Sequence, residues 1–420
     1  MENDATLWRD VWPRVCDWSA SLSNGSSSIY TLAAFFPIGK NSISSNLRSW
    51  RNAFRLRNIS NYCKFMLSRG SIIFTFKHRT DGSFINAAHR IRRTSKFVRY
   101  SLTILSTSLL FSQPAFSAEQ TLPSKGINLS KYVNFETSYN EAMLAKRLGF
   151  GLVRLPIPNE FFNQSNERVR EILSLAKTLN DNGLFLIVDF HPTEEFKKEI
   201  SSSYTSRNQF LEGWGQFSKL AKSISSKTYF EILNEPGKIP RWWELQREAI
   251  SRIRKFDKKR VVIASPEGAS SISLLLSKRP YRDNNVIYNF HYYSPMEFTH
   301  QGANFGSRKF KNFHGVPYPV PGYYMSRYPS WGAEATDNQV RLVKQWSERF
   351  NVKIICDEFG VYKGGGVSPA DRVKYIKDVR ESFDKFAIPW TMWQLVGGFG
   401  FKNTNEVDSE ILYALGFRGE

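Results

Sequence analysis

From Gly126 onward the chain alternates short apolar runs with segments that carry apolar residues at helical spacing. Eight runs are present, at residues 126–130, 152–156, 184–191, 228–235, 261–265, 286–293, 353–360 and 389–395. Near-continuous apolar strands, each followed by an amphipathic segment or a loop, favour parallel β/α units because such strands are buried on both faces. Eight units within about 300 residues predict an α/β protein with a (β/α)8 TIM barrel over residues 119–420.

A basic segment precedes this patterned region. Residues 1–118 hold 16 Lys and Arg against 5 Asp and Glu, which is more than half of the chain's net charge of +20. Residues 1–89 show no sustained strand or helix period, so we expect a basic, largely unstructured extension. Two explanations stay open for it. Either it lies upstream of the true start and is absent from the mature protein, or it is a disordered segment that binds an anionic surface.

Residues 90–118 have the layout of a secretory signal peptide. Five basic residues precede an apolar-to-hydroxylic run at 101–112, and small residues follow it up to Ala118. That run is too short to span a bilayer as a mature helix. We therefore expect an exported protein, extracellular or periplasmic, cleaved after Ser117 or Ala118. An uncleaved anchor and a plain surface helix are the alternatives.

The cysteines, the glycine-rich stretches and the distribution of charge bear on cofactors and partners. Cys16, Cys63 and Cys356 lie too far apart in sequence for a metal-ligand spacing or a disulfide framework. The glycine-rich stretches lack the lysine of a phosphate-binding loop. The basic charge is concentrated before the barrel, and no nucleic-acid recognition motif accompanies it. We expect no cofactor, no metal, no nucleic-acid partner and no stable membrane insertion after cleavage, and we expect a monomer.

Polar and aromatic side chains collect at the predicted carboxyl ends of the strands. These ends supply Arg154, Asp189, His191, Asn234, Glu235, His291, Tyr293, Asp357, Glu358 and Trp393. In a parallel barrel the carboxyl ends of the strands line the active site, whereas a layout selected for stability alone would end strands with turn residues. The coincidence across six strands predicts a reaction site. A metal site built from Asp189, His191 and His291 is a less favoured use of the same ends.

Glu235 needs a carboxylate partner from another strand. Glu231 shares its face by alternation, but four residues at ~3.3 Å each place it roughly 13 Å deeper. Paired catalytic carboxylates of glycosidases lie ~5–9.5 Å apart. We interpret Glu231 as a structural charge that needs a cationic or hydrogen-bonding neighbour. Near the end of the seventh strand, alternation puts Cys356 and Glu358 on one face and Asp357 on the other, and both acids stay candidates.

The strand ends carry the motifs VRLP, DFHP, LNEP, HYY, DEFG and MWQL in chain order. This set, in this order, resembles glycoside hydrolase family 5, the cellulase family of retaining β-glycanases with a (β/α)8 fold. The resemblance covers about residues 120–420. It implies Glu235 as the general acid/base and Glu358 as the nucleophile. It further implies six substrate-binding residues: Arg154, His191, Asn234, His291, Tyr293 and Trp393.

The resemblance also implies what each binding residue does. Arg154 and Tyr293 would contact the nucleophile, and Asn234 would hold the sugar 2-hydroxyl. The two histidines would line the cleavage subsite, and Trp393 would be the platform beneath the sugar ring. We expect Arg154 to favour the ionised nucleophile, and we expect the neighbouring negative charge to raise the pKa of Glu235.

The predicted activity is endo-hydrolysis of a β-linked polysaccharide, with β-1,4-glucan favoured. The alternatives are mannan, β-1,3-glucan or transglycosylation on the same site, and a non-catalytic carbohydrate-binding barrel. Trp242 or Trp243 could line a substrate groove or fill the core. His300 and His314 lie in a long loop after the sixth strand and could touch substrate.

Overall fold

The computed structural model describes residues 122–159, 166–325, 330–403 and 406–417, together with three strands nearer the amino terminus. Those strands, Cys63–Ser68, Ser71–Thr80 and Ser83–Arg90, pair antiparallel as one sheet. The other residues before position 122 lie outside the described ones. The extension, the signal peptide and its cleavage site therefore stay predictions.

The rest of the chain forms a closed barrel of eight parallel strands, which confirms the predicted fold. In chain order the strands are β1 Lys125–Asn128, β2 Leu152–Ile157, β3 Phe185–Phe190, β4 Thr228–Glu231, β5 Val262–Ala264, β6 Val286–Tyr292, β7 Lys353–Phe359 and β8 Trp390–Met392. Each predicted apolar run contains or overlaps one of them. The barrel closes between β8 and β1, where Trp390 pairs with Lys125 and Met392 with Ile127.

Helices follow the strands on the outside of the barrel. They are α1 Phe135–Arg147, α2 Asn166–Asp181, α3 Glu194–Ser202, α4 Tyr204–Leu220, α5 Trp242–Arg254, α6 Glu267–Ser270, α7 Ile272–Leu276, α8 Met296–Thr299, α9 Ala333–Phe350, α10 Pro369–Lys385 and α11 Ser409–Ala414. Several begin at a capping side chain: Asn134, Thr193 and Ser368 each accept a hydrogen bond from the N–H three residues later. In this described part, no helix has the length and apolar character needed to cross a membrane.

The barrel interior has an apolar lower layer and a polar upper layer. The lower layer consists of Leu152, Ile187, Tyr229, Ile263, Ile287 and Ile355. Side chains on a strand alternate between its two faces, so the inward position after Leu152 is Arg154 and the one after Ile187 is Asp189. The amino ends of the strands thus close the barrel with apolar packing, and their carboxyl ends present polar groups.

The long loop after β6 is packed and hydrogen-bonded. Its short elements are α8, two 3₁₀ turns at Arg308–Asn312 and Gly322–Tyr324, and a two-residue bridge between Val320–Pro321 and Ser330–Trp331. The buried Gln301 amide donates to Val316 O at 3.1 Å, and its oxygen accepts from Val316 N at 2.8 Å. These two hydrogen bonds tie the start of the loop to its middle.

The candidate groove tryptophans belong to the packing of the barrel wall. Trp242 is fully buried, and its indole donates to Ser265 O at 2.8 Å. Trp243 stacks on Tyr281 with ring centroids 4.6 Å apart and lies 6.0 Å from the ring of Tyr288. Core packing is therefore confirmed for Trp242, whereas Trp243 is half-buried against the two tyrosines.

Candidate active site

Arg154 is the centre of the polar layer. Its guanidinium is fully buried, and it grips Glu231 with two hydrogen bonds, from Nε at 2.7 Å and from Nη2 at 2.8 Å. Nη2 also lies 2.9 Å from Asp189 Oδ2, and Nη1 donates to Glu358 Oε1 at 2.8 Å. Bidentate arginine–carboxylate pairs are among the strongest hydrogen-bonded contacts in proteins. Arg154 is thus the cationic neighbour that the buried Glu231 requires.

One cation among several buried carboxylates shifts their acidities in different directions. Burial opposes the charge on Asp189, but Arg154 and His191 outweigh burial and hold the pKa of Asp189 below its usual value. Burial raises the pKa of Glu231 well above its usual range, and the nearby Asp189 and Asp357 add to that effect while Arg154 offsets only part of it. The two acids beneath the site therefore differ in proton affinity.

Replacing Arg154 should expose how much the fold depends on this pairing. We expect Arg154→Met to lower the free energy of unfolding by about 3–5 kcal/mol at neutral pH, because it leaves buried carboxylates without their cation. The ionised Asp189, with its lowered pKa, stabilises the fold above its ordinary pKa, and this contribution fades as the pH falls through the lowered value. The difference in free energy of unfolding between the parent and Arg154→Met should therefore become smaller as the pH falls.

Chemical denaturation across pH measures this effect. Arg252→Met is a matched control, because Arg252 pairs with the exposed Glu212 at 2.7 Å, with both side chains partly in solvent. Surface pairs of this kind contribute about 0–1 kcal/mol. Equal losses in the two variants, or a loss for Arg154→Met that does not change with pH, would contradict the assignment.

Strand β7 brings two adjacent acids to the same side. Ile355 belongs to the inner apolar layer and Cys356 to the outer core, so alternation would place Asp357 inside and Glu358 outside. The register against β6 shifts between Cys356 and Glu358, which is a β-bulge. The bulge turns Glu358 inward as well, where it accepts a hydrogen bond from the Tyr293 hydroxyl at 3.0 Å. The expectation that only one of the two acids faces inward is wrong for this reason.

Glu235 reaches the site from a loop, since β4 ends at Glu231. Simple alternation along a strand to residue 235 therefore fails. Asn234 N donates to Phe190 O at 2.8 Å, and Gly237 and Gly268 exchange two backbone hydrogen bonds, so the loop is anchored on both sides of Glu235. Glu235 has φ of 43°, a left-handed conformation that is costly for a residue with a Cβ. Its side chain is 32% exposed.

His291 joins the two glutamates. Its Nδ1 lies 3.0 Å from Glu235 Oε1 and 3.5 Å from Glu358 Oε2. One oxygen of Glu235, one oxygen of Glu358 and one ring nitrogen of His291 all lie within 4.8 Å of one another. Burial opposes the charge on Glu235, but the hydrogen bond and charge of His291 lower the pKa of Glu235 to about 2. The expected upward shift is therefore wrong for the free protein, because an imidazole separates the two acids.

Asn234, His191 and Trp393 form the opposite side of the site. Asn234 Oδ1 accepts from Arg154 Nη2 at 2.9 Å, and Asn234 Nδ2 lies 3.2 Å from His191 Nε2. His191 Nδ1 is 2.8 Å from Asp189 Oδ2, so that nitrogen carries the proton and Nε2 accepts from Asn234. The His191 ring stacks on Trp393 with centroids 5.6 Å apart at 15°. All eight predicted site residues thus belong to one contact network.

The glycine of the DEFG motif explains where Trp393 lies. A Cβ on Gly360 would be 2.2 Å from the carbonyl oxygen of Trp393, a distance that no side chain tolerates. Trp393 N also donates to Phe359 O at 2.8 Å. The backbone of β7 therefore approaches the loop after β8 closely enough to hold Trp393 beside β7.

Three further residues complete the network. Asn289 donates to Asp357 Oδ2 at 2.7 Å and to Glu231 Oε1 at 3.2 Å, and Asn128 donates to the carbonyl oxygen of Asp357 at 2.9 Å. Asn289 stands two residues before His291 on β6, so the two side chains share one face of the strand. This alternation is the sequence signal that could have identified Asn289. Lys197, from α3, is buried and adds a positive charge that acts on Glu235. Its position in a helix gave no comparable signal.

The two loop histidines behave differently. His300 is buried, its ring packs edge-on against Tyr293 with centroids 5.0 Å apart, and burial lowers its pKa to about 4. It therefore stays neutral beside the site at ordinary pH. His314 is exposed, and its Nε2 is bonded to Lys311 O at 2.9 Å. In the described loop His300 is next to a site residue, whereas His314 has only this local contact.

Metal-ligand spacing occurs in two groups of atoms. They are Glu231, His291 and Asp357, and Glu235, His291 and Glu358. Hydrogen bonds from Arg154 already occupy both oxygens of Glu231, and hydrogen bonds from Arg154 and Tyr293 occupy both oxygens of Glu358. The alternative metal set of Asp189, His191 and His291 does not occur as such a group among the described residues.

A model of the cellulase family, glycosyl hydrolase family 5, matches residues 117–398. The chain belongs to that family. The match spans about two thirds of the sequence and includes both glutamates, and it confirms the predicted family and the predicted enzyme class, a glycosidase.

Relatives and solved structures agree with the family. Endoglucanase 3 of Fibrobacter succinogenes is 25% identical over 347 residues, which cover 70% of this chain and 52% of the relative. Cellodextrinase A of Ruminococcus flavefaciens is 27% identical, over 57% of this chain and 73% of the relative. The structure of cellulose synthase subunit Z from Clostridioides difficile matches with a TM-score of 0.61 and 27% identity, over 70% of this chain and 99% of that one. This family 5 chain thus spans about half the length of Endoglucanase 3.

Proposed function

We propose that this family 5 chain is a retaining, endo-acting β-glycanase that cleaves β-1,4-glucan by double displacement, with Glu235 as acid/base and Glu358 as nucleophile. The spacing of the two carboxyl groups carries the proposal. Oxygens of Glu235 and Glu358 lie within 4.8 Å of each other. Retaining glycosidases hold their carboxyl groups ~5–5.5 Å apart, whereas inverting ones need ~6.5–9.5 Å to admit a water molecule.

The contacts of Glu358 suit a nucleophile. Arg154 donates to one oxygen at 2.8 Å and the Tyr293 hydroxyl donates to the other at 3.0 Å. The two donors fix the orientation of the carboxylate beneath the sugar ring. A carboxylate held in this way can attack the anomeric carbon from one face while the leaving oxygen departs from the other.

The position of Glu235 suits a group that first gives and then takes a proton. In the first step the bond between the anomeric carbon and the leaving oxygen breaks, Glu358 bonds to that carbon, and Glu235 delivers a proton to the leaving oxygen. In the second step water attacks the same carbon, its proton passes to Glu235, and the ester to Glu358 breaks. The proton that Glu235 delivers in the first step comes from His291, whose Nδ1 lies 3.0 Å from Glu235 Oε1.

The remaining site residues fit the binding of a sugar ring. Asn234 uses one amide hydrogen toward His191, which leaves the other free to donate to a hydroxyl such as the 2-hydroxyl. The Trp393 indole, braced by the stacked His191 ring, offers a flat apolar face to the C–H groups of a pyranose. His291 and His191 would flank the scissile bond on either side of this platform.

Related proteins favour glucan and leave mannan as the second candidate. Endoglucanase 3 and Endoglucanase C of Acetivibrio thermocellus, 25% and 24% identical, are named for glucan hydrolysis. Cel5A of Thermotoga maritima has been solved with mannotriose, at 25% identity and a TM-score of 0.60. Mannose differs from glucose only at the 2-position, which Asn234 would contact. Export through a signal peptide, with the mature chain acting as a monomer outside the cytoplasm, is part of the same proposal.

A panel of polysaccharides tests the substrate. We expect the purified chain to release reducing ends fastest from barley β-glucan and carboxymethyl-cellulose, more slowly from mannan, and to lower solution viscosity early, as endo-action requires. The Glu358→Gln variant is the matched inactive control. Hydrolysis of mannan or β-1,3-glucan above β-1,4-glucan would change the substrate. Binding of β-glucan with no hydrolysis of any polymer would favour a non-catalytic carbohydrate-binding barrel.

A further inference from the structure

Asp357 occupies an unusual place for a buried acid. It precedes Glu358 in the β-bulge of β7, and its side chain is fully buried. Its carbonyl oxygen accepts hydrogen bonds from Asn128 Nδ2 at 2.9 Å and Thr391 Oγ1 at 2.5 Å, and its Oδ2 accepts from Asn289 at 2.7 Å. Backbone and side chain are therefore both fixed, and the remaining oxygen, Oδ1, points to a definite partner.

That partner is His291. Its Nε2 lies 3.2 Å from Asp357 Oδ1, within ion-pair distance, and among the described residues neither of these two buried atoms is satisfied by a hydrogen bond to any other group. On the other side of the ring, Nδ1 lies 3.0 Å from Glu235 Oε1. The imidazole therefore stands between two carboxyl oxygens. Two carboxylates facing a neutral imidazole would leave one oxygen against a nitrogen lone pair, which is repulsive, so each gap has to hold a proton.

The charged groups around the His291 ring favour protonation of both of its nitrogens. The ring faces Glu235 from the loop after β4, and Glu358 and Asp357 from β7. The charge of the His291 ring also acts on Asp189 of β3. Glu231 on β4 also lies within 4.8 Å of a ring nitrogen, and Arg154 donates to both Glu231 and Glu358. Burial disfavours a charged ring, but the carboxylates of Glu358, Asp357 and Glu235 raise the pKa of His291 well above its usual value.

We propose that Asp357 is a positioning residue that acts through His291: by accepting from Nε2–H, it keeps the other ring proton on Nδ1, ready for Glu235. This inference rests on the proposed glycosidase function and adds the source of the catalytic proton. Asp357 touches neither substrate nor the reacting carbon. Its effect reaches the chemistry only along the line Asp357–His291–Glu235.

The proton count closes over the reaction. The proton on Nδ1 moves to Glu235 and then to the leaving oxygen, which leaves a neutral His291 that still donates from Nε2 to Asp357. The Nδ1 lone pair then faces an ionised Glu235, and this repulsion strengthens Glu235 as the base that takes a proton from water. That proton restores the starting state of the pair. Without Asp357, the ring would hold its second proton less tightly and would be free to change tautomer.

The pH dependence of kcat/KM in the Asp357→Asn variant tests the proposal. The alkaline limb reports loss of the proton that His291 and Glu235 share. Removing the carboxylate weakens the proton affinity of His291, so this limb should move to lower pH by about one unit or more. At pH values above the limb, kcat/KM should then fall about tenfold relative to the parent, beyond any loss at the optimum.

Two variants separate this effect from general damage. Asp357→Glu restores the charge and should return the limb to its original pH, even if kcat stays low. Asp189→Asn removes an equally buried carboxylate that does not touch the His291 ring and should move the limb less. An unmoved limb in Asp357→Asn, or an equal movement in Asp189→Asn, would overturn the proposal.

Nitrogen-15 NMR of the six histidine rings gives a readout independent of turnover. With His291 assigned by comparison with a His291→Gln variant, both ring nitrogens of the parent should carry protons at pH 7. A neutral His291 ring at pH 7 would overturn the proposal even if Asp357→Asn failed to fold. A parent that hydrolyses no β-glycan would instead refute the proposed function. The titration of the His291 ring would still show whether both of its nitrogens carry protons.

Discussion

Glu358→Ala should lose at least ~10⁴-fold in kcat on β-glucan and regain turnover of an aryl β-cellobioside in azide, with an inverted product. Truncation to alanine opens a space beside Arg154 and Tyr293, which donated to the lost carboxylate at 2.8 and 3.0 Å. A small anion can enter this space and attack the anomeric carbon from the side that Glu358 used. With no second displacement, the product is the α-glycosyl azide.

Product stereochemistry by NMR, together with azide-dependent rates, measures the outcome. Glu171→Ala is the matched control, since Glu171 accepts from Phe135 N on the outer helices and should leave the rate on β-glucan near that of the parent. Full activity of Glu358→Ala without azide would remove Glu358 from the nucleophile role. A β-glycosyl azide from the same variant would show that attack occurs from the other face.

The fold was predictable because it depends on periodicity. Each β/α unit has its own sequence pattern, a short apolar run followed by an amphipathic segment. Eight such units in succession are enough to predict a closed barrel. The inner apolar layer and the polar layer above it follow from the same period of two. The period of two puts Leu152 and Arg154 on one face of β2, and the structure shows that this face is the inner one.

The geometry of the site was less predictable, because it depends on places where the period breaks. The bulge between Cys356 and Glu358 adds one residue to β7 and brings two consecutive acids inside. The early end of β4 leaves Glu235 on a loop with positive φ. Neither feature has a local pattern in the sequence, since each depends on pairing with a strand distant along the chain.

The protonation of the site needed three-dimensional neighbours as well. Sequence reasoning paired Glu235 with Glu358 and expected repulsion between them to raise the pKa of Glu235. His291 lies between the two and reverses the direction of that shift in the free protein. The residue that holds it in place, Asp357, is adjacent to Glu358 in sequence and yet serves a different partner.

Glu235→Ala should slow hydrolysis of β-glucan by about 10²–10⁴-fold, because a sugar hydroxyl is a poor leaving group without a proton. The loss should be much smaller for a 2,4-dinitrophenyl β-cellobioside, whose leaving group departs unprotonated. With this substrate, formation of the glycosyl-enzyme by attack of Glu358 should then be faster than its hydrolysis, because hydrolysis lacks a base. A burst of dinitrophenol equal to the enzyme concentration and accumulation of the glycosyl-enzyme, seen by mass spectrometry, should follow.

Azide distinguishes the two glutamates most directly. In Glu235→Ala the anion attacks the glycosyl-enzyme at Glu358 and gives a β-glycosyl azide, the opposite stereochemistry to that expected for Glu358→Ala. Because the Glu235 side chain is 32% exposed, azide can reach the vacated position from solvent. The same product from both variants would be incompatible with two glutamates acting on opposite faces of one sugar. A uniform loss across leaving groups would assign Glu235 to binding in place of proton transfer.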